Sequence, residues 1–521
     1  MSSRSLNTSR NAVSGIIKVI VKIALPFIIR TSLLYYLGKE YLGLNSLFSS
    51  ILSVLNLAEL GFSSAVVYRL YKPFADNDKK TVGAYLSYLK KIYRVIGCVV
   101  FGVGIVLTPF LPKLINGSYP DDINLFFLYF LYLVNTSVSY FFSGYKRTLI
   151  IVAQRMDYIN IVETGLLCLQ YIVQIATVVI FRNYVAYIIV MPVATVMVNL
   201  VISVLCKRKY SEYFNKDLLS IQQKKEMISD VKWVSVYRIS EVTRNSFDSI
   251  VISSVLGLTL VGIYNNYYYI FSALYSFMVI INESLQASIG NSIAKESKEK
   301  NEDDLYKFSI FSLWIILFCC TGLICFYQPV MTLWMGADML LPNKDMILFV
   351  LYFYVLNMNN IRNLYFNGNG LWRRGAKSYI IESLLNLLFN IVLGRFFGIT
   401  GVIVATILTM FFCSFIWRSQ ILFYRYFQKS SKRFYIMHGK MMLTSSIVLV
   451  VCFYFCNLIG NDGIFSFIGR GIICIVVPNI IMLILLRNNR YFNDGVQQIK
   501  SVVHSIKKKT TSTINKKMKI S

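Results

Sequence analysis

Two histidines, His438 and His504, serve a chain of 521 residues, and both stand beside basic sequence. That leaves little from which to build a histidine metal centre or a histidine general base. No Walker loop, Rossmann fingerprint, Ser/His/Asp arrangement or metal motif occurs, so no catalytic or metal-binding residue is assigned and the chain cannot be its own ATPase. Charge is thin as well: 15% of the residues are Asp, Glu, Lys or Arg, where a soluble protein carries about 25%. Acids are the scarcer sign, 25 against 53 bases. With 56% hydrophobic residues and a mean hydropathy of +0.57, the chain reads as an integral membrane protein. Its ten cysteines all lie in or at the ends of apolar runs, which gives no extracellular disulfide framework, and Cys452 and Cys456 lack the histidines of a zinc site. Arg4 and Arg10 give the first segment the basic start of a signal peptide, but charge interrupts its apolar stretch and no small-residue cleavage site follows. It is expected to remain as the first helix.

Apolar runs long enough to cross about 30 Å of hydrocarbon recur from end to end, which predicts an all-α polytopic protein rather than a barrel. Fourteen transmembrane helices are expected, over 13–37, 43–68, 91–113, 122–145, 160–181, 184–206, 231–256, 260–290, 307–335, 345–366, 376–397, 400–424, 437–459 and 465–486. Basic clusters at Lys72–Lys91, Lys146–Arg155, Lys207–Lys225, Lys295–Lys300, Arg373–Lys377 and Arg425–Lys440 alternate with ends that hold little more than Lys39, Lys113, Arg182, Lys344 and Arg395. The positive-inside rule then places both termini in the cytoplasm. The tail from Arg487 to Ser521, with Lys507, Lys508, Lys509, Lys516, Lys517 and Lys519, reads as an orientation determinant resting on anionic lipid headgroups, not as a nucleic-acid binder.

The chain repeats itself. Leu37-Gly38 followed by Gly43-Leu44 and Asn45 joins the first two spans, and Leu256-Gly257 followed by Gly262-Ile263-Tyr264 and Asn265 joins the seventh and eighth. The offset spans six helices and implies two six-helix lobes plus a terminal pair, an arrangement found among transporters. The expected divisions are 1–220 (helices 1–6), 221–435 (helices 7–12), 436–486 (helices 13–14) and the basic tail, 487–521.

Lys18, Lys22 and Arg30 lie in the first apolar stretch at steps of four and eight, which puts them on one helical stripe with Ser14 and Pro26. Each basic side chain inside a bilayer costs about 2.5–3.5 kcal/mol on insertion scales, so three on one face require a protein-lined or watery destination, and that destination attracts anions. The seventh span carries Arg238, Glu241, Arg244, Asn245 and Asp248 within an arc of about 120°, with Arg244 and Asp248 an i, i+4 pair. Two readings stay open there: a charged cavity wall facing an anionic substrate, or a self-neutralised ladder locking helices together. Further charges fall inside spans at Glu59, Glu163, Glu283, Arg362, Glu382 and Arg418. Arg362, in the polar run Asn357 to Asn363, and Arg418 either line a cavity or snorkel to headgroups. Glu59 is placed to pair with the first span. Tyr264, Tyr267, Tyr268, Tyr269 and Tyr275 form either a sugar-stacking surface or an interfacial belt.

Arg10-Asn11-Ala12-Val13-Ser14-Gly15, the segment Leu37-Gly-Lys-Glu-Tyr-Leu-Gly-Leu-Asn-Ser-Leu-Phe48, Leu57-Ala-Glu-Leu-Gly-Phe62 leading to Tyr71-Lys-Pro73, and Arg244-Asn-Ser-Phe-Asp248 resemble the polysaccharide-transporter (Wzx-type) branch of the multidrug/oligosaccharidyl-lipid/polysaccharide (MOP) exporter superfamily. The last third matches mainly in hydropathy and in Phe397-Gly-Ile-Thr-Gly-Val402. The resemblance implies a MATE-like flippase in a bacterial cytoplasmic membrane. It would carry undecaprenyl-pyrophosphate-linked oligosaccharide from the inner to the outer leaflet for capsule, O-antigen or exopolysaccharide assembly. Lys18, Lys22, Arg30 and Arg244, with Arg238, Arg362 and Arg418 behind them, are then the candidate contacts for pyrophosphate and glycan. Glu241 and Asp248 are candidates for H+ or Na+ coupling, and Glu59 for charge pairing. No cofactor is implied. Membrane lipids, a polysaccharide polymerase and a chain-length regulator are the expected partners, with no nucleic acid. Two rivals remain: a cation-coupled multidrug exporter, which calls for surplus carboxylate, and a membrane polymerase or ligase, which calls for a large outer loop.

Overall fold

The computed structural model describes residues 3–56, 62–117, 119–142, 144–214, 217–459 and 463–497; Glu59 and the basic tail from 498 onward lie outside them. The described residues are helical almost throughout: α1 (Ser3–Tyr36), α2 (Lys39–Leu55), α3 (Phe62–Ala75), α4 (Lys79–Leu107), α5 (Leu125–Phe142), α6 (Gly144–Val152), α7 (Met156–Phe181), α8 (Tyr184–Lys209), α9 (Ile221–Leu256), α10 (Leu258–Lys295), α11 (Lys298–Met335), α12 (Asn343–Asn357), α13 (Asn360–Gly368), α14 (Trp372–Thr409), α15 (Ser419–Leu422), α16 (Lys432–Leu458) and α17 (Gly463–Leu486). A helix satisfies all its backbone hydrogen bonds within one segment, which is what hydrocarbon demands of a spanning element. The ends are capped where water returns. Asp78 accepts from Thr81 N at 3.0 Å, and hydrogen bonds from the Thr81 side chain first and its backbone second hold the Asp78 carboxyl below the usual range. Ser220 and Gln223 form a reciprocal capping box at the start of α9.

Among the described residues nine helical stretches are long and apolar enough to cross a membrane. The expected spans missing from those nine belong to α1, α2 with α3, α9, and α12 with α13. These are the helices that carry intramembrane charge or that are short, α2 at 17 residues and α12 at 15. One of the nine, Trp372–Phe427, runs for 56 residues, about 84 Å at 1.5 Å per residue. It folds back at Gly398, whose φ of 62° is left-handed, and a Cβ on Gly401 would run into the Leu393 carbonyl. The element is therefore a hairpin of two helices, as the sequence pattern predicts. Its second arm widens into π-helical turns over Met410–Arg418 and Phe423–Phe427.

The chain forms two compact units: Met1–Asn266 with Tyr379–Thr406, and Tyr267–Ser378 with Ile407–Ser521. In the first, α1 packs along α7, α7 and α5 pack on α8, and α2 packs on α9. In the second, α11 is the central helix, in contact with α12, α13, α16 and α17. The repeated glycine turns both lie in the first unit and interlock. Gly38 and Gly257 break the chain between helices with φ of 120° and 97°. Gly43 sits against the Leu258 carbonyl, and Gly262 faces the Lys39 carbonyl at 3.4 Å and Gly43 N at 3.5 Å, as measured from an added Cβ. Such backbone approach needs residues without a side chain.

Candidate functional site

Lys18 lies on the face of α1 that packs along α7, and Glu163 on α7 meets it there. The Lys18 ammonium pairs with Glu163 and donates to Asn160 Oδ1 at 3.2 Å. The other Glu163 oxygen pairs with Arg147 on α6. Lys22, one turn further along α1, stands within electrostatic reach of Lys18, Glu163 and Arg147. Deeper along the same helix, Arg30 Nε donates to Asn266 Oδ1 at 2.8 Å, with Tyr171 and Tyr187 nearby. Lys18 and Lys22 of α1, Arg147 of α6 and Glu163 of α7 thus form one charged cluster, with Arg30 further along the α1 stripe, and such a run of basic side chains suits an anion. Among the described residues Glu163 pairs with the first span; Glu59, which the sequence also places to do so, lies outside them.

The seventh span is wired differently. Arg238 and Glu241 pair at 3.1 Å, half-exposed, as their spacing predicts. Arg244 pairs with Glu382 on the α14 hairpin, Nη1 to Oε1 at 3.2 Å, with the Glu382 side chain 1% exposed. Asp248, fully buried, accepts from Tyr264 Oη at 2.8 Å, Asn390 Nδ2 at 2.6 Å and Thr406 Oγ1 at 3.2 Å, and Asn386 bonds to Thr406 behind it. Its neighbours come from α10 and both arms of the hairpin, elements that helical spacing alone could not bring together. The available signal was Glu382 itself, a lone carboxylate in an apolar run.

In the second unit Arg362 is buried, its Nη2 donating to Asn359 Oδ1 at 2.8 Å and Ser414 Oγ at 3.2 Å. Arg418 is buried too, with Nε on Ser378 Oγ at 3.2 Å. Both side chains are enclosed by protein. The tyrosine cluster divides: Tyr264 serves Asp248, and Tyr267 is a core residue that donates to Gln328 Oε1 at 2.6 Å and stacks on Phe349. These two form neither a belt nor an open stacking surface.

The described residues form an all-helical, multi-pass bundle with charges gathered on helix faces, and solved structures of the MOP fold share that architecture. An inward-closed lipid II flippase MurJ matches with a TM-score of 0.66 at 15% identity, over 92% of this chain and 99% of that one. An inward-facing multidrug MATE transporter of the MOP superfamily matches at 0.63 and 14%, over 78% and 98%. A MOP transporter from Pyrococcus furiosus, described by a binding pocket of reversed polarity, matches at 0.55 and 13%, over 81% and 96%. At these identities the likeness shows the fold. The polysaccharide biosynthesis protein family matches over residues 9–286, more than half of the chain, and the chain belongs to that family. No curated protein matches it.

Proposed function

We propose that this protein flips undecaprenyl-pyrophosphate-linked oligosaccharide units from the inner to the outer leaflet of a bacterial cytoplasmic membrane by alternating access. The observation that carries the reading is the basic wall of α1. Lys18, Lys22 and Arg30 share one face of α1, and Arg147 of α6 stands beside Lys18 and Lys22, basic groups suited to a diphosphate and unsuited to a cationic drug. Membership of a polysaccharide biosynthesis family and the likeness to a structure named as a lipid II flippase support it. In this reading fourteen spans form two six-helix lobes and a terminal pair, with divisions at 1–220, 221–435, 436–486 and 487–521 and both termini cytoplasmic. Arg244, Arg238, Arg362 and Arg418 extend the polar path. Asp248, ringed by Tyr264, Asn386, Asn390 and Thr406 oxygens and amides, takes up H+ or Na+ during the cycle.

Deleting the gene should leave a lipid-linked glycan on the cytoplasmic face, and identifying that glycan names the substrate. Unchanged export in the deletion strain would refute the proposal. Orientation is checked with introduced cysteines: Asn215, which lies outside the described residues, should label only from the cytoplasm, and Tyr119 from outside. Labelling of Asn215 by an impermeant reagent in sealed cells would reverse the topology.

A further inference from the structure

Between α1 and α7, at the end where Arg10, Arg155 and Lys209 gather, runs a groove of about 640 Å³ that the transport reading does not use. Its walls are apolar and open: Val13, Ile17 and Ile161 are 59%, 51% and 62% exposed. Its rim is built before any ligand arrives. Arg155 Nε and Nη2 both donate to Asp157 at 2.9 Å, and the guanidinium stacks 3.8 Å from the centre of the Tyr158 ring. Asn11 fastens α1 to the same rim, donating to the Gln154 carbonyl at 3.0 Å and accepting from Asp157 N at 2.8 Å. Below the rim the Thr164 hydroxyl is buried with no hydrogen-bond partner, although it borders the groove. Next to it, a Cβ added to Gly165 would meet nothing within 4 Å.

We infer that this groove seats one anionic phospholipid of the surrounding bilayer, its phosphate on Arg10 and Arg155, its ester oxygens at Thr164 and an acyl chain along Val13, Ile17 and Ile161. Charge decides the headgroup. Two guanidiniums stand at the mouth, and the one carboxylate there is 6% exposed and already held by Arg155, so an arriving headgroup meets net positive charge. Size decides against the transported lipid: the volume is that of a single small-ligand site, with no room for an oligosaccharide.

Native mass spectrometry of the full-length protein in detergent tests this with phosphatidylglycerol and phosphatidylcholine of matched chains. Phosphatidylglycerol should be retained in preference. Arg10→Ala, at an exposed position, should weaken retention about fivefold, the share of one basic residue at an anionic surface. Gly165→Leu fills open space and should abolish retention while leaving the unfolding temperature unchanged. Equal retention of the two lipids, or wild-type retention in Gly165→Leu, would overturn the proposal. Competition by soluble glycerol phosphate would reduce the groove to a phosphate site, and displacement by undecaprenyl diphosphate at lower concentration would hand it to the transported lipid; either outcome also overturns it. Arg10 and Gly165 lie outside the proposed transport path, so this result is separable from export assays on Lys22 and Arg30.

Discussion

The wall of α1 and the α9–α14 cluster hold the same kinds of side chain in the same unit, and they handle charge in opposite ways. Along α1, Lys18 pairs with Glu163, which Arg147 of α6 shares, and the Lys18 and Glu163 side chains are both 19% exposed. Between α9 and the hairpin, Arg244 pairs with Glu382 and Asp248 is enclosed by neutral donors. Burial makes the difference intelligible. A charge pair cut off from water must balance internally or destabilise the fold, whereas a wall that keeps some access can remain out of balance and wait for a ligand. The first region keeps part of its charge within reach of solvent, and the second encloses its charges among neighbouring helices.

Breaking the balanced region should have the largest effect. Glu382→Met strips Arg244 of its carboxylate in a buried place, and should cost about 3–5 kcal/mol, read as lost folded protein on size-exclusion chromatography. Arg244→Met combined with Glu382→Met should recover folding but not export. Recovery of both would make Arg244 purely structural and remove it from the substrate path. In the unbalanced region the expected loss is functional. Lys22→Ala and Arg30→Ala should leave membrane levels near normal and lower export roughly 10- to 100-fold, the worth of a charge-assisted bond to phosphate. Arg30→Lys should keep part of the activity as a point charge. Normal export by both alanine variants would mean that the wall binds nothing.

The glycine turns join the two regions, and they sharpen the comparison by their asymmetry. Gly43→Ala drives a methyl into the Leu258 carbonyl and should destabilise by about 1–3 kcal/mol. Gly262→Ala, whose nearest neighbours are at 3.4 Å and beyond, should be nearly silent. Equal melting temperatures for the two variants would contradict the interlocked turns. A small effect is also expected at Glu163→Gln, where partly exposed partners keep the stability change within about 1 kcal/mol. If that variant unfolded, the α1 wall would be a structural ion-pair network like its counterpart.

Hydropathy alone was enough to declare a polytopic helical protein, because hydrocarbon leaves the backbone few other choices over so many apolar runs. The hairpin at Gly398 and the turns at Gly38 and Gly257 were legible for a related reason: left-handed backbone selects glycine wherever it falls in the chain. The basic stripe could also be read from the sequence, since residues four apart share a helical face whatever surrounds it. Pairing could not. Glu163 reaches Lys18, and Glu382 reaches Arg244, across 145 and 138 residues of chain, and the sequence contained Glu59 and Asp248 as equally plausible partners at closer spacing. Helical periodicity states which side chains share one helix face, but it carries no term for which second helix lies against that face. In a bilayer that choice is made by packing between whole helices, and it alone determined that Glu163 pairs with Lys18 and Glu382 with Arg244.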